Sequence, residues 1–550
     1  MPNVHRLLRF FLPLQNPAGF TLVDSLLFAL AVLAVVSILA RDHLEGAFRW
    51  LANRPVTAAI TVALLPILLR VALLPHHPVP EPSVSDDFAY LLLGDTLAHF
   101  RLANPVHPMH RFFETVFVLQ EPAYASIYPV GQGLVLAFGQ LILQSPWAGV
   151  ALSVGAFCAA VYWMLRGWLN PKWALLGGFF AVFFFGPMNQ WMNNYWGGAV
   201  SGIAGCLAFG AIPRLRHKPR TRDAILLGTG LSLQILTRPF EAVLMTACIL
   251  PALLPLPMRR LRTIALTVLP ALLLTLLHNH AATGHWLKLP YMESRTQYGV
   301  PAAFTFQPMP KPERPLVREQ EMDYQAQVDA HAEAGSFWPR LAGRVRFLRF
   351  FLYAPLYLAL LWAIPLLRRK RYLFVAANLA VFALGTNFYP YFYPHYVAAA
   401  ACLILLLALA GLERIPRSAA LLLVILCVAR FSFWYGVHLF GDDSLFIATG
   451  PYQSWDYINF GDYEGRFAIN RTLDASPGQQ LVFVRYSPSH TLREWIQNEA
   501  SIDQARIVWA LDLGETENQK LRAYYPKRKA WLVLPDEVPP KLMALDSPAQ

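Results

Sequence analysis

Charge is scarce in this chain. Only 15% of its 550 residues are Asp, Glu, Lys or Arg, against 56% hydrophobic, which excludes a disordered or highly solvated protein. Cysteine is scarcer still. All five, Cys158, Cys206, Cys248, Cys402 and Cys427, fall inside apolar segments, so neither a disulfide framework nor a CxxC metal site is suggested. There is no glycine-rich phosphate loop of the P-loop or dinucleotide type and no repeat of fixed period.

What the chain has in abundance is apolar runs of roughly twenty residues, the length that crosses a bilayer as a helix. Spans are expected near 22–40, 55–75, 147–165, 173–188, 196–213, 223–238, 240–257, 263–279, 347–367, 372–388, 394–412 and 418–436, about twelve in all. The fold class expected is therefore a polytopic α-helical membrane protein. Pro239 leaves open a kinked or re-entrant segment in place of two crossings. The first run is too long for a signal-peptide core, lacks a small-x-small cleavage site and is followed by Arg41, so it reads as a retained helix.

The formal charge of +12 does not point to nucleic acid, because the basic residues sit in short clusters between apolar runs. Arg41/Arg49/Arg54, Arg166/Lys172, residues 214–222, Arg259/Arg260/Arg262, residues 368–371 and Arg414/Arg417 are cytoplasmic by the positive-inside rule. Loops 76–146 and 280–346, the tips near 189–195 and 389–393, and the tail after 437 then lie outside. Arg6 and Arg9 conflict with this scheme unless the N-terminal helix lies along the surface.

Three parts follow. Residues 1–54 form an N-terminal helix and cytoplasmic link, 55–436 the membrane module, and 437–550 a small α/β domain on the outer face. In the last, "QQLVFVRYS", "RIVWALDLG" and "KAWLVLPDE" read as strands, and "HTLREWIQNEASID" and "TENQKLRAYYPKR" as helices. A linker at 441–465 joins this domain to the last span, and the proline-rich stretch 300–320 reads as a loop.

Two adjacent acids, Asp86 and Asp87, open a surface helix in the first outer loop. The plain reading is helix capping by Ser85, Asp86 or Asp87. However, "SDDFAY" (85–90) followed by "ASIYPVGQGLVLAFG" (125–139) resembles the first outer loop of the GT-C glycosyltransferases: protein O-mannosyltransferases, lipid A aminoarabinose transferases and RgtA/B/C/D-like bacterial enzymes. The hydropathy pattern matches over roughly 55–436. The resemblance implies a polyprenyl-phosphate sugar donor, a hydroxyl acceptor (lipid, glycan or protein) and Asp86 as catalytic base with Asp87 supporting. The second acid of such pairs is usually Glu, and here it is Asp. The place implied is the bacterial inner membrane, with the C-terminal domain periplasmic.

A lipid-linked donor already carries its leaving group, so the enzyme must supply a carboxylate for the acceptor hydroxyl and a cation for the phosphate. "LTRPFEA" (236–242) offers Arg238 and Glu241 at the outer end of a span, where ionisable groups are costly; the alternative is an i, i+3 salt bridge. Further candidates are Glu114, His110 and Arg111, Tyr128, His278 and His280, Lys288, and Tyr393 and His395 in "NFYPYFYPHYV". The hairpin tip "GPMNQWMNNYWGGAVSG" (186–202) sets Asn189, Asn193, Asn194, Tyr195 and Trp196 beside Gly197 and Gly198, a surface suited to sugar rings. Its Trp and Gly alone would be explained by the interface and by helix packing. His278 and His280 make a His-x-His pair, but no third ligand is evident; no cofactor is required and a divalent metal is not indicated. Competing classes are a flippase or transporter of lipid-linked intermediates, which should carry charges within spans and internal symmetry, a noncatalytic envelope-assembly protein, and an O-antigen polymerase or ligase.

Overall fold

The computed structural model describes residues 30–33, 35–36, 40–82, 84–346, 348–440, 458, 465–491 and 493–545. The linker expected at 441–465 and most of the first apolar run lie outside the described residues.

Among the described residues, five helices are long and apolar enough to cross a membrane: Pro55–Ala72, Pro146–Leu165, Met258–Thr283, Pro394–Leu412 and Arg417–Phe440. Shorter apolar helices are Val130–Leu143, Pro171–Phe185, Pro239–Leu253 and Pro355–Arg368. The 347–367 run, expected as one span, is instead broken into Leu348–Phe351, Pro355–Ala363 and a 3-10 turn, Ile364–Arg368. Pro355 and Pro365 each remove an amide from the ladder, which fits both breaks. Helices Pro146–Leu165 and Ala401–Leu412 lie at the centre, with Phe157, Val161, Leu403 and Leu406 wholly buried. Leu64, Leu68, Leu266 and Leu273, on the Pro55–Ala72 and Met258–Thr283 helices, point outward and exposed. Apolar helices with bare apolar flanks are stable only in lipid, and the chain is an integral membrane protein.

The C-terminal unit carries a four-stranded sheet. Gln480–Val484 pairs in parallel with Ile507–Leu511 on one side and Lys529–Leu534 on the other, and Lys541–Ala544 adds an antiparallel edge. The central strand is buried along its whole length, as a continuous apolar run covered on both faces should be. Helices Arg466–Ala475 and Glu515–Tyr524 accompany it. The three expected strands and the helix in "TENQKLRAYYPKR" are present.

Among the described residues of "HTLREWIQNEASID" the expected α-helix is not present; the chain is irregular there, with a 3-10 turn at Ile502–Gln504. Side chains satisfy its backbone in place of an i→i−4 ladder. Arg466 donates to the carbonyls of Glu494 and Trp495 at 2.8 and 3.1 Å, Tyr124 to that of Asn498 at 3.2 Å, and Ala500 N donates to Asp95 Oδ2 at 2.6 Å. This stretch is also the seam between the C-terminal unit and the first loop. Arg101 donates to Ser501, His107 meets Asp503 at 3.1 Å, and the Arg466 guanidinium lies 4.7 Å over Phe88.

Candidate functional site

The helix Ser85–Ala98 starts from Val84, and no side chain caps it. Capping, the plain reading of the acidic pair, is thus corrected: both carboxylates reach across to other elements. Asp87 is buried and its Oδ1 accepts from the Tyr195 amide at 2.8 Å. Asp86, one residue earlier and so about 100° around the helix, keeps part of its surface open, and its Oδ1 accepts from the Tyr128 hydroxyl.

Asp87 finds Tyr195 because the 186–198 tip is clamped against the first loop. Arg70, fully buried near the end of its helix, donates to Asn193 Oδ1 at 2.7 Å and to the carbonyls of His77 and Pro78 at 2.8 Å each. Asn193 Nδ2 donates to Pro187 O and Asn189 O, and Tyr195 Oη donates to Pro80 O at 2.7 Å. Asn194 accepts from Gly197 N at 3.1 Å. At Gly198 a Cβ would stand 2.2 Å from the Trp191 ring, so the tip can close only on glycine. The asparagines and Tyr195 expected to hold sugar are therefore buried groups that organise the tip; from it, Trp196 faces His395 at 5.0 Å and Tyr393 at 5.7 Å.

Arg70 was open to detection as a lone charge inside an apolar run. Arg70→Met removes the donors for three acceptors, a loss of order 3 kcal/mol or more at about 1 to 3 each. A lower midpoint of thermal unfolding in detergent, partly recovered by Arg70→Lys, is the expected result.

Around Asp86 the walls are aromatic. Tyr90 stacks on Tyr128 at 4.1 Å, and Tyr291 meets Tyr128 edge-on at 5.7 Å. Tyr389, Tyr391, Tyr393, His395 and Tyr396 form a continuous set of ring contacts, Tyr393 lying parallel to His395 at 5.6 Å. The Arg238 guanidinium sits 5.1 Å over the Tyr396 ring, close enough for its charge to act on Asp86. Arg238 is the junction between helices Thr221–Thr237 and Pro239–Leu253, with φ −143° and ψ 81°. Since Pro239 disfavours helical geometry at the residue before it, the i, i+3 helical spacing to Glu241 does not apply. Glu241 makes no ion pair within 4 Å of Arg238 but feels its charge, and it accepts from Tyr389 Oη at 3.3 Å.

Burial pushes the Asp86 carboxyl above its ordinary value, against the Tyr128 hydrogen bond and the Arg238 charge, which pull it down. A second carboxylate, Asp323 of helix Arg318–Ala332, is near enough to feel the Asp86 charge and was not found in the sequence. Burial raises it to about 7 despite a 2.7 Å hydrogen bond from Gln327, with the Asp86 charge adding to the rise.

The remaining candidates scatter. Glu114 is buried between the two outer loops, paired with Arg314 at 2.6 Å and accepting from Tyr298 and Gln320. Lys288 pairs with Glu293 at 2.5 Å. His278 is buried beside Pro239 and Tyr291, and its Nε2 has no hydrogen bond. His280 is exposed, its ring 4.3 Å from Trp286 and nearly parallel to it. Two residues apart on a helix, these histidines point to different sides, so the His-x-His pair does not converge. Among the described residues no three His, Cys, Asp or Glu gather as a metal site.

No protein family description matches the chain, and no curated protein does. Among solved structures it is similar to the archaeal oligosaccharyltransferase of Archaeoglobus fulgidus in the apo form (11% identity, 78% of this chain and 62% of that one, TM-score 0.42), less than two thirds of whose length it spans. It is also similar to ArnT from Cupriavidus metallidurans, both in the apo state (13% identity, 88% of this chain and 93% of that one, TM-score 0.49) and bound to undecaprenyl phosphate (12% identity, 89% and 97%, TM-score 0.47).

Proposed function

We propose that the chain is a membrane glycosyltransferase that moves a sugar from a polyprenyl-phosphate donor to a hydroxyl acceptor, at the periplasmic face of the bacterial inner membrane. The observation that carries this reading is Asp86, a partly open carboxylate that accepts from the Tyr128 hydroxyl, with the Arg238 cation, seated over the Tyr396 ring, near enough for its charge to act on it.

In this reading Asp86 takes the proton of the acceptor hydroxyl as its oxygen bonds to the anomeric carbon. The bond from that carbon to the phosphate oxygen breaks on the opposite side, so the configuration inverts and polyprenyl phosphate leaves. Arg238 balances the charge on the departing phosphate. A carboxyl whose proton affinity burial has raised is a stronger base than an ordinary one. Tyr128 fixes its orientation, Asp87 holds the helix that carries it, and Tyr291, Tyr393 and Trp196 offer faces for a sugar. About twelve spans, with loops 76–146 and 280–346 and the C-terminal unit outside, complete the scheme. The chemistry calls for no metal.

The test is transfer itself. Purified chain, incubated with radiolabelled polyprenyl-phosphate sugars and a cell-envelope extract, is expected to move label onto an acceptor and release polyprenyl phosphate. Label that stays on every donor offered defeats the reading.

A further inference from the structure

A separate crevice of about 490 Å³ lies at the carboxyl ends of strands Gln480–Val484 and Ile507–Leu511, within the roughly 300 to 1,000 Å³ range of small-molecule sites. In parallel α/β sheets ligands bind outside the carboxyl ends of the strands. Next to Lys529–Leu534 that space is plugged by Asp536, which accepts from Ser487 N at 2.8 Å and meets His490 Nδ1 at 2.6 Å. The opening is displaced to the other side of the central strand, where the start of helix Arg318–Ala332 closes it.

Its lining does not favour one sign of charge. Arg318 and Arg485 supply donors, Glu319 and Asp512 acceptors, Tyr486 a ring, and Val317 and Leu513 apolar surface. Arg485 is paired with Asp512, and Arg318 donates to Pro488 O at 3.1 Å. Glu319 is the exception. It is 2% exposed, its Oε1 has no hydrogen bond, and His490 Nε2 stands 3.9 Å from it. Burial beside Glu494 raises it to about 9, so at neutral pH it carries a proton and can both donate and accept. Alternating donors and acceptors beside a ring, without a net field, match a polyhydroxyl ring better than a phosphate or an ammonium.

The first turn of helix Arg318–Ala332, carrying Glu319, lines the crevice. We propose that the crevice at the carboxyl ends of Gln480–Val484 and Ile507–Leu511 binds carbohydrate and is the seat of a glycan acceptor. The second half rests on the transferase reading; the first does not.

The test is saturation-transfer NMR on the purified full chain with methyl glycosides of glucose, galactose, mannose and N-acetylglucosamine. At least one is expected to receive saturation, several-fold less in Ser487→Trp, which fills the crevice, and in Arg485→Ala. If Ser487→Trp fails to fold, Arg485→Ala decides. Saturation of no glycoside, or undiminished saturation in the folded variants, overturns the proposal. Failure of the transferase reading shows separately, as donors that stay labelled while glycosides still bind.

Discussion

Asp86→Asn is expected to fold, bind donor and transfer almost nothing. A general base contributes roughly 10²- to 10⁴-fold to rate, and asparagine, nearly the same shape, can still accept the Tyr128 hydroxyl but cannot take a proton. Because no side chain caps the Ser85–Ala98 helix, the substitution removes no cap, and the melting temperature is expected to change little. The pH profile is a second signature. The base must be ionised, and burial raises Asp86, so kcat/KM is expected to fall with decreasing pH along a limb placed above the ordinary carboxylate value of about 4. Near-normal turnover in Asp86→Asn would move the base elsewhere, with Asp323 the first candidate.

Arg238→Ala is the other large effect. Removing a cation from beside a buried phosphate typically costs about 2 to 5 kcal/mol. The expected result is weaker donor binding together with slower release of polyprenyl phosphate, with Arg238→Lys retaining part of each. The measurement is donor binding and single-turnover release on the same preparation. A variant that loses thermal stability alone, matched by Glu241→Ala, would reduce Arg238 to a structural cation.

The membrane character was legible because apolar runs follow from length and composition, and the strands because they are buried, β-branched runs bounded by turn residues. The 490–503 stretch was misread as helix because Arg466, Tyr124 and Asp95, which satisfy its backbone, are distant in sequence. Asp86, Arg238 and the "NFYPYFYPHYV" aromatics could be chosen in advance, as costly or unusual groups at the ends of spans. The asparagines of the 189–194 tip could not be assigned in that way, since their partner Arg70 is 123 residues from Asn193. Asp323 sits in an ordinary polar helix, and only the fold brings it within range of the Asp86 charge.

The most direct measurement is the position of the lipid phosphate in a complex of Asp86→Asn with its polyprenyl-phosphate sugar, where binding is retained and turnover is not. The account predicts phosphate density within hydrogen-bond reach of the Arg238 guanidinium, about 3 Å, with the sugar against Tyr128 and residue 86. Phosphate density bound away from Arg238, with no sugar in the Asp86 cleft, would contradict it.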